Sequence, residues 1–258
     1  MELDIPKKKI AFCFIVHQNI ILEQRWIDFF KDADPEKYSI YIHYNNYETS
    51  HFFDRYKLPI TIPNHPAHIS LVHIYNYLFR EAYLDINNYK FCILSDSCVP
   101  FKSFDSIYDF LIKDDKGHFN ICQQSQCFPR ANRLLHFFNP EKIQKSSSWF
   151  ILNRKLVQET VFENEYWTNE RFDFSFPDEH YHLTMIYIKN LQDQIIETLN
   201  LASGATTFIN WSDMDYPWVS NNGLKNYSFL SKEEHNYLKQ SPCLFGRKFL
   251  KNCVFEGE

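Results

Sequence analysis

Glycine is scarce in this chain: 258 residues hold five, at Gly117, Gly204, Gly223, Gly246 and Gly257. No G-x-G-x-x-G and no G-x-x-x-x-G-K-[ST] can be drawn from them, which excludes Rossmann dinucleotide binding and P-loop phosphate cradles. Also missing is any run of about 18 apolar residues, or an apolar segment behind Met1. The sequence therefore reads as soluble, with no signal peptide or membrane anchor. Neither C-x-x-C nor H-E-x-x-H occurs, and His180 and His182, two apart, do not share a helix face, so no metal site is expected. The seven cysteines (13, 92, 98, 122, 127, 243, 253) are odd in number and several sit inside apolar runs. They read as buried free thiols of a reducing cytoplasm, with Cys122 and Cys127 as a pair that could join. Excess positive charge is lacking too. A net charge of −5 argues against a nucleic-acid partner held by bulk electrostatics.

What the chain has in quantity is aromatic rings, 25 Phe and 16 Tyr within a 45% hydrophobic composition. That is enough apolar surface for one sizeable core. With no linker, repeat or composition break, a single domain over 1–258 is expected. The unbroken apolar run 10–17 (IAFCFIVH) predicts a strand buried on both faces. Residues 21–30 follow at helical spacing, then a strand at 38–43 (YSIYIH) and a helix over 69–84. A central strand at 90–94 (KFCIL) ends in Ser95-Asp96-Ser97. Further strands are predicted at 146–152 and 205–211, a helix over 154–162, and a helix opened by a capping box at Ser231. Alternation of this kind gives an α/β fold with a mostly parallel central sheet flanked by helices, and ligands gather at the carboxyl ends of such strands.

The chemistry concentrates in residues 177–181 (PDEHY). Proline favours the first helical position, and a helix N-terminus favours anions. The segment therefore predicts Asp178 and Glu179 at the start of a helix, either as ordinary caps or with Glu179 as a general base. Arg247 and Lys248 offer a guanidinium fork and a point charge for a diphosphate; a solvated tail is the plainer reading. His17 and His43 end strands and point to the ligand edge. Trp149, Trp211 and Trp218 are candidate stacking surfaces for sugars, and Arg130 and Arg133 candidate contacts to a polar acceptor. Asp32-Ala-Asp34 spells a metal motif but reads as a solvated turn, and Asp213 with Asp215 is a weaker one.

Seven segments in order resemble the core-2/I-branching β-1,6-N-acetylglucosaminyltransferase family, which includes peptide O-xylosyltransferases, and its plant branch most of all. They are 9–17 (KIAFCFIVH), 38–43 (YSIYIH), 91–100 (FCILSDSCVP), 147–154 (SSWFILNR), 177–181 (PDEHY), 209–212 (INWS) and 244–249 (LFGRKF). The resemblance implies a GT-A type fold and inverting transfer from a UDP-sugar, usually UDP-N-acetylglucosamine, to a glycan or glycoprotein hydroxyl, with no metal or other cofactor required. On that likeness Glu179 is the catalytic base and Lys248 the diphosphate lysine, with Arg247 beside it. Ser95 and Asp96 align with the segment near the nucleotide sugar and Trp211 with an acceptor-side Trp; beside these, His17 and His43 are expected at the nucleotide sugar and Arg130, Arg133 and Asp178 at the acceptor from their own positions. Residues 1–120 would then form the nucleotide-sugar half and 121–258 the acceptor and catalytic half. Asn45 departs from the family's Asp after the second strand. The Golgi anchor, stem and disulfide set of animal members are absent from this sequence, which points to a bacterial or large-DNA-virus source. Two alternatives stay open here: a carbohydrate-binding relative without turnover, and a metal-dependent transferase.

Overall fold

The computed structural model describes residues 7–47, 52–65, 67–198 and 206–257. In the first half β1 (Lys9–Val16), α1 (Glu23–Phe30), β2 (Tyr38–Tyr44), α2 (Ser70–Tyr83) and β3 (Asn88–Ser95) succeed one another. The apolar run of β1 has the physical consequence its composition demands. Ala11, Cys13 and Ile15 enter one core, while Ile10, Phe12, Phe14 and Val16 enter another on the opposite face, because successive side chains of a strand alternate. α2 packs on the first face with Ile74, Tyr75, Leu78, Phe79 and Ala82 along one stripe. α1 covers the second with Trp26 and Phe30.

The chain continues through β4 (Val99–Pro100), α3 (Phe104–Ile112), β5 (Gly117–Asn120), α4 (Phe128–Ala131), β6 (Ile151–Asn153), α5 (Arg154–Thr160), α6 (Glu165–Phe172) and α7 (Tyr181–Ile188). β7 (Ile195–Thr198), β8 (Thr207–Ile209), β9 (Tyr227–Leu230), α8 (Lys232–Gln240), β10 (Phe245–Arg247) and β11 (Phe249–Phe255) complete it. A six-stranded sheet runs in the order β2-β1-β3-β6-β5-β7. β6 alone runs antiparallel to its neighbours, and the other pairings are parallel. The sheet is thus mostly parallel and flanked by helices, as the alternation predicts.

A second sheet, β4-β10-β8, carries Arg247 to the edge of the first, because only three residues separate the end of β3 from the start of β4. Gly246 in β10 sits where the Phe101 ring presses on the backbone: a Cβ there would lie 2.0 Å from the ring. Gly246→Ala is therefore expected to lower stability by about 1–3 kcal/mol through overpacking, read as a lower denaturation midpoint with an unchanged slope.

Three local differences from the periodicity have identifiable causes. Only Ile151–Asn153 of the 146–152 run is strand, because the preceding backbone is engaged elsewhere: Ser146 N–H donates to the Glu179 carbonyl and Ser147 N–H to that of Asn120. The strand expected at 205–211 is β8, Thr207–Ile209; Ala205 lies outside the described residues. Pro177–Glu179 forms a 3-10 turn, and α7 starts only at Tyr181. All seven cysteines, Cys122 and Cys127 included, are free thiols. Asp34 caps a surface turn by accepting the Glu36 N–H and pairs with Lys7.

Candidate active site

The carboxyl ends of β1, β2 and β3 lie side by side, with Ile15 in register with both His43 and Ser95. At this edge Asp96 accepts the backbone N–H of His17 at 3.2 Å, and the Asn45 amide meets the His17 ring at 3.3 Å. His17, Asn45 and Asp96 thus form one polar rim. Ser95 lies beneath it, its hydroxyl 3.1 Å from that of Ser97. His43 does not join them: it is buried, and its Nε2 accepts the Ile62 N–H at 2.9 Å. Burial drives its pKa down to about 4, so it serves as a neutral acceptor holding the 60s segment.

The second component is the turn bearing Asp178 and Glu179. Phe176, just before Pro177, adopts the left-handed conformation with φ 60°, unusual ahead of a proline and costing about 1–3 kcal/mol. The turn is held there by Phe176 N–H to the Ala67 carbonyl, Ser146 N–H to the Glu179 carbonyl, and Gln144 carbonyl to the His180 ring at 2.9 Å. Residues 144–149 are in this way stapled along the turn. The staple brings Lys145 to 3.4 Å from Glu179 Oε2, while Arg130 from α4 reaches the same oxygen at 3.2 Å. Arg130 also lies over the Phe176 ring. Glu179 keeps 23% of its side chain exposed, so a buried turn presents one accessible carboxylate between two cations.

Asp178 points the other way, inward, and is 5% exposed. Ser148 hydrogen-bonds its carboxylate, while Oδ1 has no partner among the described residues. Beside Ser148 stands Trp149, and the Arg247 guanidinium lies 4.4 Å from its ring centre. Asp178 and Arg247 feel each other's charge. The Tyr75 hydroxyl, on α2, lies within the fields of Asp178, Arg247 and Glu179 together, and the Cys98 thiol within those of Arg247 and Asp96. Arg247 is thus close enough to act on groups that also feel Asp96 on one side and Asp178 and Glu179 on the other. The Arg247 Nε is buried as well, and has no hydrogen-bond partner among the described residues. Asp178 Oδ1 and Arg247 Nε are each a buried polar group with unused hydrogen-bonding capacity, which is costly in the free protein.

Burial, opposed by Ser148 and reinforced by Glu179, pushes the Asp178 pKa up from 3.8 to about 6. Between about pH 4 and 6 the folded protein holds a proton that the unfolded chain has released. Asp178 thus costs nothing below that window and up to about 3 kcal/mol above it. Buried His43, His180 and His182, with lowered pKa values, act with the opposite sign and weaken the fold as pH falls below 6.5. The difference between Asp178→Asn and the native chain isolates the carboxylate: near zero at pH 4, favouring the variant by about 1–3 kcal/mol at pH 7. Urea titrations at both pH values measure it, and a flat difference would remove Asp178 as a buried acid.

The remaining candidates divide. Lys248, next to Arg247, is part-buried, and its carbonyl accepts the Tyr227 N–H at 2.8 Å. Trp211 is 39% exposed at the rim of β8, on a loop pinned by Asn210, whose side chain bonds Trp218, Ser220 and Tyr227. Trp218 is part-buried and packs against Tyr216 and Tyr237 at the margin of a core cluster. Arg133 turns away and donates to the Glu170 carbonyl at 2.7 Å. Asp213 and Asp215 are exposed, and no group of three or more His, Cys, Asp or Glu side chains suited to a metal ion occurs among the described residues. Lys145 and Tyr75 were missed by sequence reasoning; Tyr75 was visible only as one more member of an apolar stripe.

A profile described as Core-2/I-Branching enzyme matches residues 10–202, which takes in the strand-edge rim, Trp149 and the 177–181 turn but stops short of Trp211, Arg247 and Lys248. The chain is also similar to Glycosyltransferase BC10 of Oryza sativa subsp. japonica, 24% identical over 164 residues. That alignment covers 61% of this chain and 41% of the rice protein, so the chain spans about two fifths of that relative's length. The mixed α/β architecture is consistent with a GT-A-like glycosyltransferase fold. No helix among the described residues is long and apolar enough to cross a membrane.

Proposed function

Because this chain belongs to the core-2/I-branching enzyme family, we propose that it is an inverting glycosyltransferase that moves a sugar from a UDP-sugar to a hydroxyl of a glycan or glycoprotein. The acceptor oxygen attacks the anomeric carbon, its proton passes to Glu179, and the anomeric C–O bond to the diphosphate breaks with its electron pair leaving on UDP. One carboxylate suffices for such a single displacement. Arg247 and Lys248 neutralise the charge growing on the departing diphosphate, a part that preorganised cations perform without a metal ion. The rim of His17, Asn45 and Asp96 receives the nucleotide, Asp178 and Trp149 line the space for the sugar, and Trp211 with Arg130 faces the acceptor. The proposed donor sugar is N-acetylglucosamine.

One observation carries this reading: Arg247, remote in sequence, converges with the Asp178–Glu179 turn around Tyr75 and Trp149. The test is release of UDP from a panel of labelled UDP-sugars offered with hydroxyl acceptors, with and without excess EDTA. Turnover that survives EDTA is expected, with UDP-N-acetylglucosamine the preferred donor. Absence of free UDP from every donor would leave a carbohydrate-binding relative, and loss of activity in EDTA would make the reaction metal-dependent.

A further inference from the structure

In the sequence Glu234 is the acid of the capping box that opens α8. Its backbone N–H does donate to the Ser231 hydroxyl, at 3.1 Å. The residue is 3% exposed, however, and a buried carboxylate is costly unless donors surround it. Here the Tyr227 hydroxyl donates at 2.7 Å and the Tyr216 hydroxyl at 3.1 Å, while Lys225 Nζ stands 3.4 Å away. Both tyrosines belong to the core cluster that holds Phe208 and Phe249.

The hydrogen bonds continue from Tyr227 toward the active site. Its hydroxyl, donating to Glu234, also accepts a side-chain N–H of Asn210 at 2.7 Å. Asn210 is fully buried and directly precedes Trp211. Its second N–H goes to the Trp218 carbonyl at 3.0 Å, and its oxygen accepts the Ser220 N–H at 2.9 Å. One amide thus ties the far side of the 211–223 loop to the residue from which the loop departs. Consecutive hydrogen bonds in a low-dielectric interior strengthen one another. The loop borders the transferase site, because the Cys122 thiol lies within the fields of both Asp213, two residues beyond Trp211, and Glu179. The Tyr227 N–H also donates to the Lys248 carbonyl at 2.8 Å. That bond is backbone to backbone, so it survives changes of the Tyr227 side chain.

We propose that Glu234 is a positioning residue: through Tyr227 and Asn210 it fixes the 211–223 loop and holds Trp211 where an acceptor docks. The part given to Trp211 rests on the transferase reading; the fixing of the loop does not.

Tyr227→Phe keeps the ring stacked on Phe249 and removes both hydroxyl bonds of this chain, and Glu234→Gln keeps one acceptor oxygen. Hydrogen exchange reads the loop directly. The Ser220 amide is expected to exchange about tenfold faster in Tyr227→Phe, with Glu234→Gln between it and native. The Ile62 amide, held by His43 elsewhere, should not change. Steady-state kinetics, with the fastest acceptor of the panel above, read the consequence. KM for the acceptor should rise about tenfold in Tyr227→Phe, while KM for the UDP-sugar stays within about twofold. In a Trp211→Ala background the same substitution should add nothing to the acceptor KM, since no indole is left to position. A merely structural Tyr227 would multiply the losses in both backgrounds. Multiplied losses, an unchanged Ser220 amide, or a loosened loop with native acceptor KM overturns the proposal. If Tyr227→Phe does not fold, Glu234→Gln takes its place in each comparison. A native protein that releases UDP from no donor would sink the transferase reading, and the Ser220 amide alone would then decide whether Glu234 fixes the loop.

Discussion

Glu179→Gln is expected to lower sugar transfer by about 10²–10⁴-fold, the usual worth of a positioned general base, with the protein still folded. Gln is isosteric and cannot accept the hydroxyl proton. Glu179 is the part-exposed member of its turn, and Arg130 is 44% exposed, so the cations left behind can rehydrate. The turn itself is held by backbone bonds from Ser146 and Phe176, which the substitution does not touch. UDP affinity should stay within a few-fold of native, because the proposed mechanism has the residue act on the acceptor side of the bond being broken. Steady-state kinetics with a fixed acceptor measure the loss as a fall in kcat. A variant that turns over at the native rate removes Glu179 from the mechanism.

The second large effect is expected at Arg247. Arg247→Met keeps much of the volume over Trp149 and removes the charge, and kcat should fall by about 10²–10³-fold, as for loss of one preorganised electrostatic contact to a transition state. Donor affinity should weaken as well, since a diphosphate is charged before and after transfer. Arg247→Lys should recover only part of the rate, because the fork that stacks on the indole and meets phosphate oxygens in pairs is lost. Asp178 supplies an internal readout. Arg247 is one of the influences holding its pKa down, so in Arg247→Met the pH window over which Asp178 weakens the fold should move upward. A merely structural Arg247 would shift stability without splitting kcat from donor affinity.

Much of the fold was legible in the sequence because its physical causes are local. Residues 10–16 are apolar at every position, as a strand covered on both faces requires; β1 spans Lys9–Val16. Ser231 announced α8 through a cap that exists, its hydroxyl accepting the Glu234 N–H at 3.1 Å. Expectation failed where tertiary demands outweighed propensity. Residues 146–150 have the composition of a strand, yet Ser146 N–H goes to the Glu179 carbonyl, Ser147 N–H to that of Asn120 and the Ser148 side chain to Asp178, and the strand is Ile151–Asn153. The Pro-Asp-Glu segment reads as a helix start, but the left-handed Phe176 and the bonds from Ser146 and Gln144 form a 3-10 turn first. That detail separates the two acids, sending Asp178 inward and Glu179 outward.

The candidate site was legible in its chemistry and not in its contacts. A carboxylate pair and a cationic pair can be picked out by residue type. Nothing in their spacing reveals that Lys145 stands beside Glu179, that Tyr75 lies within the field of both acids, or that Trp149 lies beneath Arg247. His43 marks the opposite limit: a polar residue at a strand end invites a ligand role, and the fold uses it to hold Ile62.

The most direct test is a crystal structure of Glu179→Gln soaked with an intact UDP-sugar. The diphosphate should lie against Arg247 and Lys248, with the sugar between Asp178 and Trp149 and its anomeric carbon open toward residue 179 at a distance that leaves room for one acceptor oxygen. A nucleotide sugar bound with its diphosphate away from Arg247, or with residue 179 on the far side of the sugar from any approach by an acceptor, would contradict the shared pocket on which the mechanism is built.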